Sequence, residues 1–272
     1  MTLPAPHLRR AATQLASGTL VASSLLSACN GAPATALPLA LSAAGIFLAP
    51  TLLKNCAWYG PVRKSFATPN REVWLTIDDG PEPQQTPYIL DVLGHHRVKA
   101  TFFAIGRKIL QAPELARRIV SEGHSLQNHT FLHPERSFWA AGPGRAHREL
   151  ERCSRAIFEA TGATATQFRA PVGFANPFVH AAAAAQKLTF IGWSSTGCDG
   201  VAHHPESVLA KIMTSLRPGG IILCHDSQLR CMAPKSRATL LDSLLSRLKS
   251  EGYGCCFPIN RNDSPIQARR TA

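Results

Sequence analysis

Asp78 and Asp79 stand side by side after an apolar run, Val73-Trp74-Leu75-Thr76-Ile77, and before Gly80-Pro81. His129 and His133 lie four residues apart in His-Thr-Phe-Leu-His. Arg169 opens Arg-Ala-Pro-Val-Gly, and His225 closes a second apolar run, Ile221-Ile222-Leu223-Cys224. Adjacent carboxylates repel unless something neutralises one of them. Two imidazoles and one carboxylate, with further positions open, suit a catalytic zinc ion. A guanidinium keeps its charge at any working pH, and a histidine titrates near neutrality. Gathered in one place, these groups comprise a metal ligand set, a general base, a general acid and an orienting cation. That is the equipment of metal-assisted hydrolysis. Singly, Arg169 reads as a salt-bridge residue, His225 as a buried strand-end histidine, and His129 and His133 as ordinary loop histidines. Only their co-occurrence argues for a site.

The elements that must gather them alternate. Strand signals fall at Val73–Ile77, Ala100–Ile105, Ser125–Asn128, Gln167-Phe168, Leu188–Trp193, Ile221–Cys224 and Tyr253–Phe257. Helical periodicity falls at Thr86–His96, Pro113–Glu122, Arg145–Ala160, Ala181–Gln186, Pro205–Leu216 and Ala238–Leu248. Pro113 opens its helix, Gly123 and Gly162 follow helix ends, and Asn176 is placed to cap. This rhythm predicts parallel βα units, open or closed into a barrel. In a barrel, chemistry belongs at the carboxyl ends of the strands. Asp78, Asp79, Arg169 and His225 all fall at such ends.

On these residues the chain resembles the NodB-homology polysaccharide deacetylases, carbohydrate esterase family four, over roughly Glu72 to Pro258. The family's first motif appears as Thr76-Ile77-Asp78-Asp79-Gly80, and its second as His129 to His133, preceded by Gly123-His124 and Asn128. Its third is Arg169 to Gly173 and its fifth Leu223-Cys224-His225. The fourth is the weakest match: Asp199 is present, but Gly200 replaces the family's tryptophan. The resemblance implies a distorted, incomplete (β/α) barrel of the NodB-homology type. It also implies a hydrolase of linear amides that removes N-acetyl groups from an amino sugar in a cell-envelope polysaccharide or oligosaccharide. Asp79, His129 and His133 would hold a divalent metal, zinc by preference. Asp78, neutralised by Arg169, would be the general base for the attacking water. His225, oriented and charged by Asp199, would protonate the departing amine. The Val172 backbone N–H would help hold the oxyanion, and Leu223 would line a pocket for the acyl methyl.

Other activities use the same groups. A deformylase or deacetylase of a lipid-linked amino sugar needs the same site, and an O-acetyl esterase needs a weaker acid. A degenerate carbohydrate-binding protein would not need Asp78, Asp79 and His225 intact. An iron oxygenase uses two histidines and one carboxylate, but the second carboxylate and Arg169 fit hydrolysis better. His95-His96 and His203-His204 read as solvated residues. Phe138-Trp139 fits a sugar platform or core packing equally.

No charged residue occurs between Arg10 and Lys54. The first 29 residues resemble a secretory signal ending in a lipobox-like Leu26-Ser27-Ala28-Cys29, and Leu37–Leu53 is a second apolar segment. The expected organisation is a signal and membrane-anchor segment over 1–53, a linker over 54–71, the catalytic domain over 72–258 and a polar tail over 259–272. Trp58 and Tyr59 suit a membrane interface, and the domain is expected outside the cytoplasm. The net charge of +12 points to an anionic partner. No run of Lys and Arg interleaved with aromatics supports nucleic acid, so a membrane surface or envelope polymer fits better. Eight cysteines include no C-x-x-C, which excludes a zinc ribbon. Export would allow Cys198 to pair with Cys231, whereas Cys224 reads as a buried free thiol.

Overall fold

A computed structural model describes residues 5–199, 204–226 and 236–258. Its strands are β1 (Glu72–Asp78), β2 (Thr101–Ala104), β3 (Ser125–Asn128), β4 (Gln167–Phe168), β5 (Thr189–Phe190), β6 (Ser195–Thr196), β7 (Gly220–His225) and β8 (Gly254–Cys255). They form one sheet in the order β5-β4-β3-β2-β1-β7-β6, with β8 beside β1. Every ladder between these strands is parallel. Two helices precede the sheet, α1 (Pro6–Cys29) and α2 (Pro33–Thr51). Seven more connect its strands: α3 (Thr86–His95), α4 (Gly106–Gln111), α5 (Pro113–Ser121), α6 (Pro143–Thr161), α7 (Pro177–Ala185), α8 (Pro205–Ser215) and α9 (Ser236–Ser250).

β1 and β7 are apolar runs covered on both faces, as parallel strands require. Period two sorts their side chains. Val73, Leu75 and Ile77 join the core beneath the helices, as do Ile222 and Cys224. Trp74 and Ile221 point the other way and pack with Phe103 and Ile191 inside the curl of the sheet. The same alternation carries Thr76, Asp78, Leu223 and His225 to the inner side, in register across β1 and β7. Local signals end the helices as expected. The Asn176 side chain accepts from the Phe178 and Val179 N–H groups at the start of α7. Gly162 closes α6 in a left-handed conformation.

The barrel is incomplete, because β5 and β6 end the sheet without pairing to each other. Residues 54–71, expected as a linker, lie along this gap instead. Arg63 bridges to Ile191 and Ser65 to Gly220, and Phe66 packs against the inner cluster. This strap also explains why β5 is shorter than the extended run Leu188–Trp193. Past Phe190 the Ile191 N–H makes one more bond to the Phe168 carbonyl, the Gly192 N–H turns to the Arg63 carbonyl, and the Ile191 and Gly192 carbonyls are taken by the Arg169 guanidinium. The last strand is likewise cut to Gly254–Cys255. α4 and β6 were not expected; six and two residues are too short to show periodicity.

Several isolated residues depart from expectation. His96 is half-buried, and its Nε2 lies 2.7 Å from Asp242 on α9, so it joins α3 to α9 rather than being solvated. Phe138 is core, packed edge-on to Phe168; only Trp139 remains partly exposed. Cys224 is buried, as expected. His203, Gly200, Cys231 and the 259–272 tail lie outside the described residues.

Trp74 is buried and donates its indole N–H to Thr101 Oγ1 at 2.9 Å. Replacing Trp74 with Ala should empty the inner cluster and lower the free energy of unfolding by about 3–5 kcal/mol. Urea titration of the variant measures it; a loss below about 1 kcal/mol would show that the inner cluster does not support the sheet.

Candidate active site

The titratable groups expected from the sequence sit where β1, β3, β4, β6 and β7 end. Arg169, just past β4, is fully buried. Its Nη1 donates to Asp78 Oδ1 and to Thr76 Oγ1, both at 2.7 Å. Its Nη2 donates to the Gly192 carbonyl at 2.9 Å and its Nε to that of Ile191 at 3.3 Å. The guanidinium lies over the Phe103 ring, 4.3 Å from its centroid. It is therefore fixed by β1, β2 and the chain after β5 together, and its position fixes Asp78.

Asp79 is the next residue, turned by a left-handed backbone (φ 74°) out of the strand's alternation. Its Oδ1 lies 3.3 Å from His129 Nε2 and 3.2 Å from His133 Nε2. The loop that carries the histidines is shaped by side chains. Asn128 Oδ1 accepts from the Thr130 N–H, and Thr130 Oγ1 accepts from the His133 N–H. Glu149 on α6 accepts from the Phe131 and Leu132 N–H groups. Thr130 and His133 are also left-handed, at φ 66° and 54°. Such conformations persist only where surroundings impose them, and they cluster at functional sites.

These atoms fit a divalent cation. His129 Nδ1 lies 2.8 Å from the Arg169 carbonyl, which can only accept. A proton therefore sits on Nδ1, and Nε2 faces Asp79 Oδ1. Burial, then His129, pushes His133 down to about 4, so it is neutral at working pH. Burial would raise the Asp79 carboxyl, but His129, His225 and His133 outweigh it and hold it well below the usual range. Asp79 Oδ1 is buried without a hydrogen-bond partner. One ligand atom each from Asp79, His129 and His133 lies within 4.8 Å of the others. Two imidazole nitrogens and one carboxylate oxygen converging on one point are a donor set that suits a divalent cation.

The acid side is equally tied. Asp199 Oδ1 lies 2.7 Å from His225 Nδ1, and its Oδ2 accepts from the His225 N–H at 2.8 Å. Burial lowers the pKa of His225, but Asp199, then Asp79 and Asp78, more than offset this and raise it to about 9. The Asp199 carboxyl is lowered: burial opposes ionisation, and His225 and Arg237 overcome that. Val172, at φ 59°, and Pro171 and Gly173 beside it form the turn after Arg169. Leu223 is buried on β7, on the inner side with His225.

Three supporting residues were not anticipated. Arg237 on α9 donates to the His225 carbonyl at 2.9 Å and to Asp199 Oδ2 at 3.3 Å. Asp226 is buried, donates its N–H to the Asp78 carbonyl and accepts from Thr86 Oγ1. Burial raises its carboxyl to about 8, which keeps it protonated beside the acidic pair at neutral pH. It also explains Gly80, since a Cβ there would stand 2.5 Å from Asp226 Oδ2. Lys108 Nζ donates to the Asp79 carbonyl at 2.8 Å. Asp226 has a weak sequence signal, an acid directly after His225. Arg237 and Lys108 have none, because each is an ordinary cation within a helix.

The profile of the polysaccharide deacetylase family matches residues 66–191. A chitooligosaccharide deacetylase of Bradyrhizobium sp. (strain ANU 289) is 42% identical over 157 residues, covering 57% of this chain and 71% of that protein. The peptidoglycan-N-acetylglucosamine deacetylase PgdA of Listeria monocytogenes is 34% identical over 187 residues, covering 69% of this chain but 38% of that one. Among solved structures, a family 4 carbohydrate esterase from Streptomyces lividans in complex with acetate superposes with a TM-score of 0.62 at 27% identity, covering 70% of this chain and 94% of the other. The chain belongs to the polysaccharide deacetylase family. It is a hydrolase of linear amides built on an incomplete (β/α) barrel.

Purified protein should carry about one divalent ion per chain, and His129→Ala should lose it while keeping the wild-type circular dichroism. Elemental analysis decides this. An alanine variant with full metal content would show that the three residues do not hold the ion.

Proposed function

We propose that this chain removes the N-acetyl group from an amino sugar of a cell-envelope polysaccharide or oligosaccharide. The observation that carries this reading is the separate fate of two adjacent carboxylates: Asp78 is paired to Arg169, and Asp79 faces two imidazoles. The relatives named for chitooligosaccharides and for peptidoglycan N-acetylglucosamine support the substrate class.

Asp79, His129 and His133 would hold the divalent ion, zinc by the chemistry of the donors. When bound, that ion lowers the pKa of a water and polarises the acyl carbonyl. Asp78 is the general base. Arg169 occupies its Oδ1, so Oδ2 is the oxygen that takes the proton as the water attacks. The Val172 N–H donates to the developing oxyanion, and Leu223 packs against the acyl methyl. His225, kept charged by Asp199, gives its proton to the departing amine. An amide needs this step because a neutral amine leaves and an amide anion does not. Asp199 and Arg237 do not touch the reacting atoms; they hold His225 in its charged, oriented form. The same geometry on a lipid-linked amino sugar would give a deacetylase or deformylase of that substrate. The apolar amino end is proposed to keep the protein at a membrane of the cell envelope.

The acid must be protonated, so the form of His225 that works exists below a pKa of about 9 and is lost as pH rises through it. The descending limb of kcat should therefore fall near pH 9, not near the ordinary histidine value of about 6.5. Asp199→Asn should move that limb to lower pH. His225→Ala should cut kcat on an N-acetyl amide by on the order of 10²–10⁴, and much less on an activated aryl ester, whose leaving group needs no proton. Equal losses on both substrates, or an unmoved limb in Asp199→Asn, would remove His225 as the leaving-group acid.

A further inference from the structure

α1 and α2 pack together as a hairpin turned at Asn30–Ala32. Its packing is inside-out for a protein in water. Small and hydroxyl residues line the seam: Thr13, Ala36 and Ala43 are buried, Ser17 donates to the Ala43 carbonyl and Ser24 to that of Ala36. The large apolar side chains face outward. Leu15, Leu25, Leu26, Leu37 and Leu41 are 63–72% exposed. An amphipathic helix in water turns such residues inward. In hydrocarbon, helices instead join through small residues and hydroxyl hydrogen bonds. Among the described residues, Ala34–Thr51 of α2 is the one stretch long and apolar enough to cross a membrane; α1, at 24 residues and about 36 Å, is long enough for a hydrocarbon core of about 30 Å and turns hydroxyls into the seam.

The hairpin's open end is fastened to the catalytic domain. Arg9 donates to the Ala57 and Trp58 carbonyls, Trp58 Nε1 to Thr13 Oγ1 and Tyr59 Oη to the Phe47 carbonyl. Four residues past α2, the Asn55 N–H donates to the Gly173 carbonyl and its Nδ2 to that of Trp193. Gly173 follows β4 and Trp193 follows β5, so both lie at the strand ends that carry the site. Trp193 is in turn 5.7 Å from the Arg169 guanidinium. Lys54 and Lys64 are exposed beside this root, and the +12 chain matches anionic headgroups.

We propose that the hairpin enters a bilayer and returns, that this sets the rim of the site at the membrane surface, and that the substrate is an N-acylated amino sugar carried by a lipid in that same bilayer. This rests on the deacetylase reading above. Membrane anchorage alone would tolerate a flexible tether and a site facing any direction. A root hydrogen-bonded to the loops around Arg169 does not.

The test uses the full chain, supplied with zinc, in vesicles of phosphatidylethanolamine and phosphatidylglycerol. Two substrates carry the same N-acetylglucosamine disaccharide, one on a polyprenyl diphosphate and one free. Confinement to one bilayer should favour the lipid-linked form by on the order of 10²-fold in kcat/KM. Leu41→Lys places a charge on the lipid-facing side, far from the chemistry. It should abolish flotation with vesicles and the preference for the lipid-linked form, leaving hydrolysis of the free sugar unchanged. Equal or faster hydrolysis of the free disaccharide by the wild type would overturn the inference and leave the deacetylase reading standing, as would a preference that survives Leu41→Lys. Hydrolysis of neither substrate would overturn the deacetylase reading itself.

Discussion

The buried contact between Arg169 and Asp78 sets the charge of everything around it. A carboxylate with no water to solvate it must be paired, and Asp78 is paired by a guanidinium that four other groups already hold in place. This leaves Asp79 as the charge still to be met, and it turns out of the strand toward two imidazoles. Like charges on neighbouring residues are thus separated by giving each its own counterpart rather than by protonating one. His225, across the site, feels both carboxylates and Asp199, so its proton is held well above the ordinary range.

The fold follows the same demand. Parallel strands put Asp78, Arg169 and His225 at one end, and their inner faces turn Thr76, Asp78, Leu223 and His225 toward one space. The gap between β5 and β6 is the point where Arg169 finds two free carbonyls, Ile191 and Gly192. A regular ladder at that position would have consumed them. The strap of residues 63–66 closes the gap without competing for those groups, because it pairs on the outer edge. An incomplete barrel is therefore what allows a buried arginine to be fully bonded here.

Much of this was readable because the chemistry falls at ends of strongly apolar strands. Asp78 and Asp79 after Val73–Ile77, and His225 after Ile221–Cys224, need no tertiary knowledge to be placed at one end of a parallel sheet. The four-residue spacing of His129 and His133 was equally visible. What could not be read were residues acting through long-range contacts: Arg237 reaching Asp199 from α9, Lys108 reaching the Asp79 carbonyl, and Asn55 reaching the Arg169 loop. The bridges made by Arg63 and Ser65, within the segment expected as a linker over 54–71, are long-range contacts of the same kind. Arg63-Lys64-Ser65-Phe66 carries no strand periodicity, and only the gap between β5 and β6 makes it structural. The amino end was legible as apolar but not as a hairpin, because its seam is small and hydroxylated rather than leucine-rich.

The most direct test of the account compares Asp78→Asn with Asp79→Asn, each assayed for bound divalent ion and for kcat on an N-acetylated chitooligosaccharide. The account predicts that Asp78→Asn keeps its ion and loses turnover by on the order of 10²-fold or more, whereas Asp79→Asn loses the ion. Loss of the ion from both variants, or an Asp78→Asn enzyme that turns over at the wild-type rate, would contradict the division of labour between the two carboxylates.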